Sequence, residues 1–289
     1  MLAQLRCLRA AALTLGFDVD SHDREGNLLT VYQGDVGISW LFSLSRTPFN
    51  TESQAALCMD KAHFHAVVSP HVRMPATCAF LDPGTDPEYR HYVLEAETRT
   101  MADRAARSLG YPMVVKPNSG SLGRGVRLCR DAAEVREALE AVFDQRSRFY
   151  DYVGIAQQFV PLRCEYRVVC HRGEPLFAYE RNGGRDGFMA RYWETGGCKR
   201  VEDTGLLERL GAFVRPVFER TGLGFAGFDV GVSAGTGSGD DDPEEEGWML
   251  FEANSKPYFT HIIEAGEVQA VTAMYEQLLT REMEFAKTN

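Results

Sequence analysis

Residues 111–126 read YPMVVKPNSGSLGRGV, a short apolar run that ends in Lys116 and opens into a loop containing Gly120, Gly123 and Gly125. Glycines let main-chain N–H groups approach phosphate oxygens closely, and Lys116 and Arg124 add positive charge. The spacing matches neither GxxxxGK[ST] nor a GxGxxG turn after a strand, so the two familiar nucleotide loops are excluded. Read alone, the segment fits a phosphate cradle and a structural turn equally well.

A second informative stretch lies more than a hundred residues later, where AGFDVGV (226–232) and WMLFEANSKP (248–257) set Asp229, Glu252 and Asn254 into apolar runs. Side chains alternate along a strand, so Glu252 and Asn254 share a face. A carboxylate in a buried strand needs compensating charge. Oxygen donors from two strands suit Mg2+, which keeps some water and bridges to nucleotide phosphates, and a salt-bridged carboxylate pair is the alternative.

Working outward, the pattern is mixed α/β (α+β). The opening residues form an amphipathic helix, and residues 17–44 alternate apolar runs with turn residues as two or three strands. A helix is expected from Asp60 to Val68, then an extended passage after Pro75 and a loop with Pro83, Gly84 and Pro87. Residues 98–109 predict a helix stopped by Gly110 and Pro112, and Asp131 with Glu134 predicts a capped helix presenting Val135, Leu139 and Val142 on one face. Beyond 153 strands dominate: GIAQQFV, then EYRVVC and PLFAYER joined by the HRGE turn (171–174). A helix near 206–218 carries Pro216, which should kink it, and a last helix is expected over about 264–279. The acidic run within GTGSGDDDPEEEG (235–247) reads as a solvated hairpin tip rather than a metal site.

A chain of 289 residues, 44% hydrophobic, buries a core of enzyme size. Its net charge of -10 and the lack of a basic stripe exclude a nucleic-acid partner. The seven scattered cysteines contain no CxxC pair and read as reduced thiols of a cytoplasmic protein. The first residues, broken by Arg6 and Arg9, fit neither a membrane span nor a secretory signal. Of the histidines, His261 follows the metal-strand motif, where lining an acceptor pocket and a structural role are both open.

Taken in order, YPMVVKPNSGSLGRGV, IAQQFV, FDV and FEANSKP resemble the ATP-grasp superfamily over most of the chain. The stretch from LGFDVDSHDREGN through SRTPFNTESQAALCMDKAHFHAVVSPHVRMPAT (15–77) looks like the ATP-grasp modules of bifunctional glutathione synthetases and cyanophycin synthetases. FEANSKPYFTH (251–261) is similar to the metal strand of D-alanine-D-alanine ligases. The resemblance implies two α+β lobes gripping ATP, after a short, truncated pre-ATP-grasp lobe. The expected division is 1–58 for that lobe, 59–155 for the first subdomain with a linker near 82–96 and the glycine loop at 119–126, and 156–289 for the second.

The resemblance also implies roles. Lys61 and Lys116 match the phosphate-contacting lysines, and Ser119, Gly120, Ser121, Gly123 and Gly125, with Arg124, belong to the loop over the phosphoryl groups. Gln158, Phe159 and Val160 match the adenine hinge, and Glu165 the carboxylate that holds the ribose hydroxyls. Asp229, Glu252 and Asn254 match the ligands of two Mg2+ ions, with Mn2+ as a substitute. Arg167 and Arg181 lie on strands where relatives place arginines near the transferred phosphate or the acceptor, and Arg181 is preferred. D-alanine-D-alanine ligases carry an arginine two positions before the metal aspartate, where this chain has Gly227. Arg181 or Lys256 is expected to take over oxyanion stabilisation, and Tyr258 in place of a small residue argues against D-alanine as substrate.

The implied activity is ATP-dependent joining of a carboxylate to an amine through an acyl phosphate, on an amino acid or small peptide. A small-molecule kinase and a silent ATP-binding regulatory protein are the alternatives. The short first lobe suggests that a second copy of the chain, in a homodimer, or a carrier or peptide partner completes the acceptor pocket. No membrane partner is expected.

Overall fold

The structure is a computed structural model that describes residues 1–34, 36–120, 123–181, 197–234 and 247–288. Ser121 and the acidic run at 240–246 therefore lie outside the described residues.

The chain opens with α1 (Ala3–Thr14) and an antiparallel three-stranded sheet, β1 (Asp18–Ser21), β2 (Leu28–Gln33) and β3 (Ile38–Ser43). This small sheet has no closed core of its own. Leu5, Leu8, Leu29, Val31 and Phe42 pack in one cluster with Val169, Phe177 and Phe225 of a central sheet and with Met274 and Leu278 of the last helix. That arrangement follows from size, because three short strands and one helix bury too little apolar surface to offset chain entropy.

Two helices follow, α2 (Glu52–Met59) and α3 (Lys61–Val68). The first was absent from the sequence expectation, although Thr51 and Gln54 form a complete capping box. Its apolar residues show no strong one-sided stripe and none is fully buried, which hid it from a periodicity reading. Asp60 ends α2 and caps α3, its carboxylate accepting the His63 N–H at 2.8 Å.

A four-stranded antiparallel sheet comes next, in the order β4 (Thr77–Leu81), β7 (Val153–Gln158), β5 (Met113–Pro117), β6 (Arg127–Cys129). Helices α4 (Thr98–Leu109) and α5 (Ala132–Val142) cover it, burying Met101, Ala105, Val135 and Leu139 against Met113, Val115 and Ala156. Gly110 ends α4 at φ 70°, and Asp131 caps α5 by accepting the Glu134 N–H at 2.9 Å, as expected from their sequence.

The central sheet is also antiparallel and runs β10 (Cys198–Arg200), β9 (Glu174–Arg181), β8 (Leu162–His171), β11 (Phe225–Ser233), β12 (Trp248–Asn254). Helix α6 (Thr204–Thr221) packs on one face together with Phe64 and Val68 of α3. It continues through Pro216 rather than ending there. The terminal helix differs from expectation: a short α7 (Thr260–Glu264) precedes α8 (Val268–Thr288), nine residues beyond the predicted end. The extension is held by Glu282, a polar residue buried on α8 that an apolar-periodicity reading passes over.

Candidate active site

The registers of β8, β9, β11 and β12 decide which side chains meet. Asp229 lies opposite Arg167 on one side and Glu252 on the other, Gly227 lies opposite Asn254, and Glu165 lies opposite Arg181. All of these residues therefore share one face of the central sheet.

Asp229 is at the centre, 6% exposed, and two guanidinium groups hold it. Arg167 grips it with both Nε and Nη2, the latter at 3.0 Å, and Arg181 Nη2 is 2.8 Å from its Oδ1. Arg181 also pairs with Glu165. Burial alone would raise the Asp229 pKa, but Arg167 and then Arg181 hold it below the ordinary carboxylate value. Burial likewise works against the Arg167 charge, and attraction to Asp229 overrides it and raises that pKa. The carboxylate is thus kept ionised.

Gly227 explains how Arg167 fits. A Cβ at that position would come within 3.0 Å of both Arg167 Cδ and Pro257 Cβ. The absence of a side chain on β11 is therefore what lets the guanidinium of the neighbouring strand cross it. Lys256 points elsewhere, its ammonium 3.4 Å from Met59 Sδ. Tyr258, beyond Pro257, is exposed.

The second half of the site comes from α3 and the glycine loop. Lys61 Nζ donates to the carbonyls of Asn118 at 3.1 Å and Gly120 at 2.6 Å, and stands 3.8 Å from Glu252 Oε2. Asn118 returns the contact by accepting the Ala62 N–H at 2.8 Å. Lys116, at the end of β5, donates to Gln157 Oε1 at 2.8 Å. Desolvation and the charge of Lys61 push its pKa down to about 8, against the pull of Glu252 and Asp229. Gln157, itself buried and bonded to Thr77 Oγ1 at 3.1 Å, is a site residue that motif reading missed. Strand alternation in IAQQFV would have separated it from the exposed Gln158.

Gly123 and Gly125 have φ of 59° and 73°, and a Cβ on Gly125 would lie 2.9 Å from Pro117 Cγ. Glycine is needed there on both counts. Arg124 between them is exposed. On the hinge, the Gln158 N–H donates to Ala76 O at 2.8 Å, Phe159 is half-buried and Val160 is buried.

Asp229, Glu252 and Asn254 present two carboxylates and an amide, with the Asn254 amide 3.3 Å from Glu252 Oε1. This all-oxygen donor set fits a hard divalent cation that completes its shell with water and phosphate oxygens. Among the described residues no three His, Cys, Asp or Glu side chains gather into a metal cluster, so any cation here leans on the amide and on the nucleotide.

An ATP-grasp domain model matches residues 88–179, from just before α4 through the glycine loop and β8 and into β9. D-alanine--D-alanine ligase from Bacillus anthracis superposes with a TM-score of 0.54 over 81% of this chain and 71% of its own, at 18% identity. The chain has an ATP-grasp fold. A bifunctional glutathione synthetase from Pasteurella multocida shares this ATP-grasp fold over 95% of the chain, with a TM-score of 0.56, 13% identity and 44% of its own length covered. In sequence, the alpha-aminoadipate--LysW ligase LysX of Sulfurisphaera tokodaii is 26% identical over 260 residues, 86% of this chain and 79% of that protein.

Proposed function

We propose that this chain is an ATP-dependent carboxylate–amine ligase that forms an amide or peptide bond through an acyl phosphate, with an amino acid or small peptide on at least one side. The observation that carries this reading is Lys61, which reaches from α3 to two glycine-loop carbonyls and to Glu252. One ammonium thereby links the loop and the metal strand, the two segments that must meet around a nucleotide's terminal phosphates. The named relatives, a LysX ligase and a D-alanine--D-alanine ligase, support ligation over other uses of the fold.

On this reading Lys61 and Lys116 bind the phosphates, and the main-chain N–H groups at Gly120, Gly123 and Gly125, with Arg124, complete the cradle, while Ser119, whose N–H is already given to a buried carboxylate, anchors the root of the loop. Glu252 and Asn254, joined by Asp229 once Arg167 and Arg181 give up one of its oxygens, would hold Mg2+, which when bound supplies charge neutralisation for phosphoryl transfer. Gln158, Phe159 and Val160 line the adenine side, and Glu165 takes the ribose once Arg181 releases it. Transfer of the γ-phosphoryl group to a carboxylate needs positioning rather than a protein nucleophile. Attack by the amine then passes through a tetrahedral oxyanion, and Arg167 with Arg181 are the charges nearest Asp229 to meet it. Arg167 takes the place of the side chain missing at Gly227, in preference to Lys256. A second copy of the chain, or a carrier or peptide partner, completes the acceptor side beside Tyr258.

All seven cysteines are free thiols, consistent with a cytoplasmic setting, and among the described residues no helix is long and apolar enough to cross a membrane. The test is ADP and phosphate release from MgATP with pooled amino acids and dipeptides, followed by mass spectrometry. A product equal to two substrates minus water, formed only with MgATP, is the expected result. A phosphorylated product without condensation would replace this reading with a kinase.

A further inference from the structure

Asp151 lies outside every motif described above. It is 6% exposed in the segment between α5 and β7, and its carboxylate accepts two main-chain N–H groups, Ser119 at 2.6 Å on Oδ2 and Val153 at 3.1 Å on Oδ1. Its own N–H donates to Val142 O at 3.0 Å, at the end of α5. The segment is pinned on its far side, where Tyr150 Oη donates to Asp82 Oδ2 at 3.0 Å and the Asp82 N–H to Tyr152 O at 2.9 Å.

The Val153 contact is local and would satisfy an ordinary turn aspartate. The Ser119 contact is not. It joins residues 32 apart and falls on the second residue after β5, where the glycine loop begins. The preceding amide, Asn118 N–H, donates to Val153 O at 3.1 Å. Two successive amides at the loop's root are thus held from the β7 side, while Lys61 holds the carbonyls of Asn118 and Gly120 from α3. A buried carboxylate is costly unless N–H groups meet both oxygens, and here one of the two comes from the loop. Asp151 therefore holds the Ser119 amide, from which the chain runs on to Gly120.

We propose that Asp151 is a positioning residue whose carboxylate sets the orientation of the Ser119–Gly120 amides and thereby tunes phosphate binding at the nucleotide site. The inference rests on the nucleotide-binding reading above. Asparagine cannot substitute, because it offers one acceptor oxygen and turns an NH2 group toward an N–H donor. Glutamate keeps both acceptors with one methylene more reach.

The experiment measures MgADP and adenosine affinity by calorimetry for wild type, Asp151→Asn and Asp151→Glu, with thermal unfolding of each without nucleotide. Asp151→Asn should weaken MgADP about tenfold, the scale of one charge-assisted hydrogen bond, and leave adenosine affinity unchanged. Asp151→Glu should recover part of the loss. Equal MgADP affinity in wild type and Asp151→Asn overturns the inference, as does parallel weakening of MgADP and adenosine, which marks a merely structural role. If Asp151→Asn does not fold, Asp151→Glu decides: selective weakening of MgADP supports the proposal and unchanged affinity overturns it. A wild type that binds no MgADP removes both this inference and the ligase reading, whereas loss of selectivity in the variants alone removes only this one.

Discussion

Gly227 and Arg167 act as a pair, although they lie on different strands. Replacing Gly227 with Ala should push the Arg167 stem away from Asp229, because the added Cβ meets Arg167 Cδ and Pro257 Cβ at 3.0 Å. We expect about 1–2 kcal/mol of lost stability from this crowding and a larger proportional loss of turnover, checked by thermal melts beside ADP release. Lys116 yields a prediction in pH. Its pKa lies near 8 in the free protein, so the ammonium proposed to bind phosphate is present below that pH and lost above it. The profile of kcat/KM for ATP, which reports free-enzyme groups, should fall above about pH 8. Lys116→Arg should remove that limb, since a guanidinium stays charged; a wild-type profile that stays level to pH 10 would refute the assignment. Replacing Glu252 with Ala should abolish ADP release while the melting temperature holds, because Glu252 is a third exposed and its nearest cation, Lys61, stands 3.8 Å away.

At the level of elements, α8 is fastened to the turn between β8 and β9. Glu282 pairs with His171 and lies 3.0 Å from Arg172 Nε, while the Arg172 guanidinium covers the Phe285 ring at 3.6 Å. Burial opposes ionisation of Glu282, but the bonds from His171 and Arg172 prevail and lower its pKa from 4.5. A depressed carboxyl pKa contributes stability that is fully present above the unfolded value and is lost as pH falls through the folded one. The clasp should therefore weaken below about pH 4.5, and Glu282→Gln should flatten that part of the stability profile measured by urea unfolding. At neutral pH the substitution should cost about 2 kcal/mol, less than a fully buried pair because Arg172 is partly in water.

For the whole molecule, the decisive feature is a core shared between chain ends. Phe259, fully buried just after β12, stands edge-on to Tyr275 of α8 with ring centroids 6.1 Å apart, and its N–H meets Gln4 of α1 at 3.3 Å. The first lobe, the central sheet and the last helix therefore fold as one unit around it. Phe259→Ala should cost about 3–4 kcal/mol and lower the melting temperature of the whole chain in a single transition by roughly 10 °C, read by calorimetry. A separate early transition for the first lobe would contradict the shared core.

Much of this was legible from residues alone, because it depends on local rules. Gly110 stops α4, Asp131 caps α5, and the apolar faces of those helices follow from spacing. Alternation along FEAN puts Glu252 and Asn254 on one face whatever the strand pairs with. Helix α2 stayed hidden because it buries no side chain completely, and the extent of α8 because Glu282 is a polar residue serving as core. What only the tertiary structure decided is which distant groups share a charge: the pairing of Arg167 with Asp229 across Gly227, the reach of Lys61 to Glu252, Gln157 beneath Lys116, and Asp151 under Ser119. Those contacts depend on strand register and on how two sheets are set against α3, and neither is written in any one segment. Local propensity operates over a few residues, whereas a buried charge finds its partner wherever packing brings one within hydrogen-bonding distance.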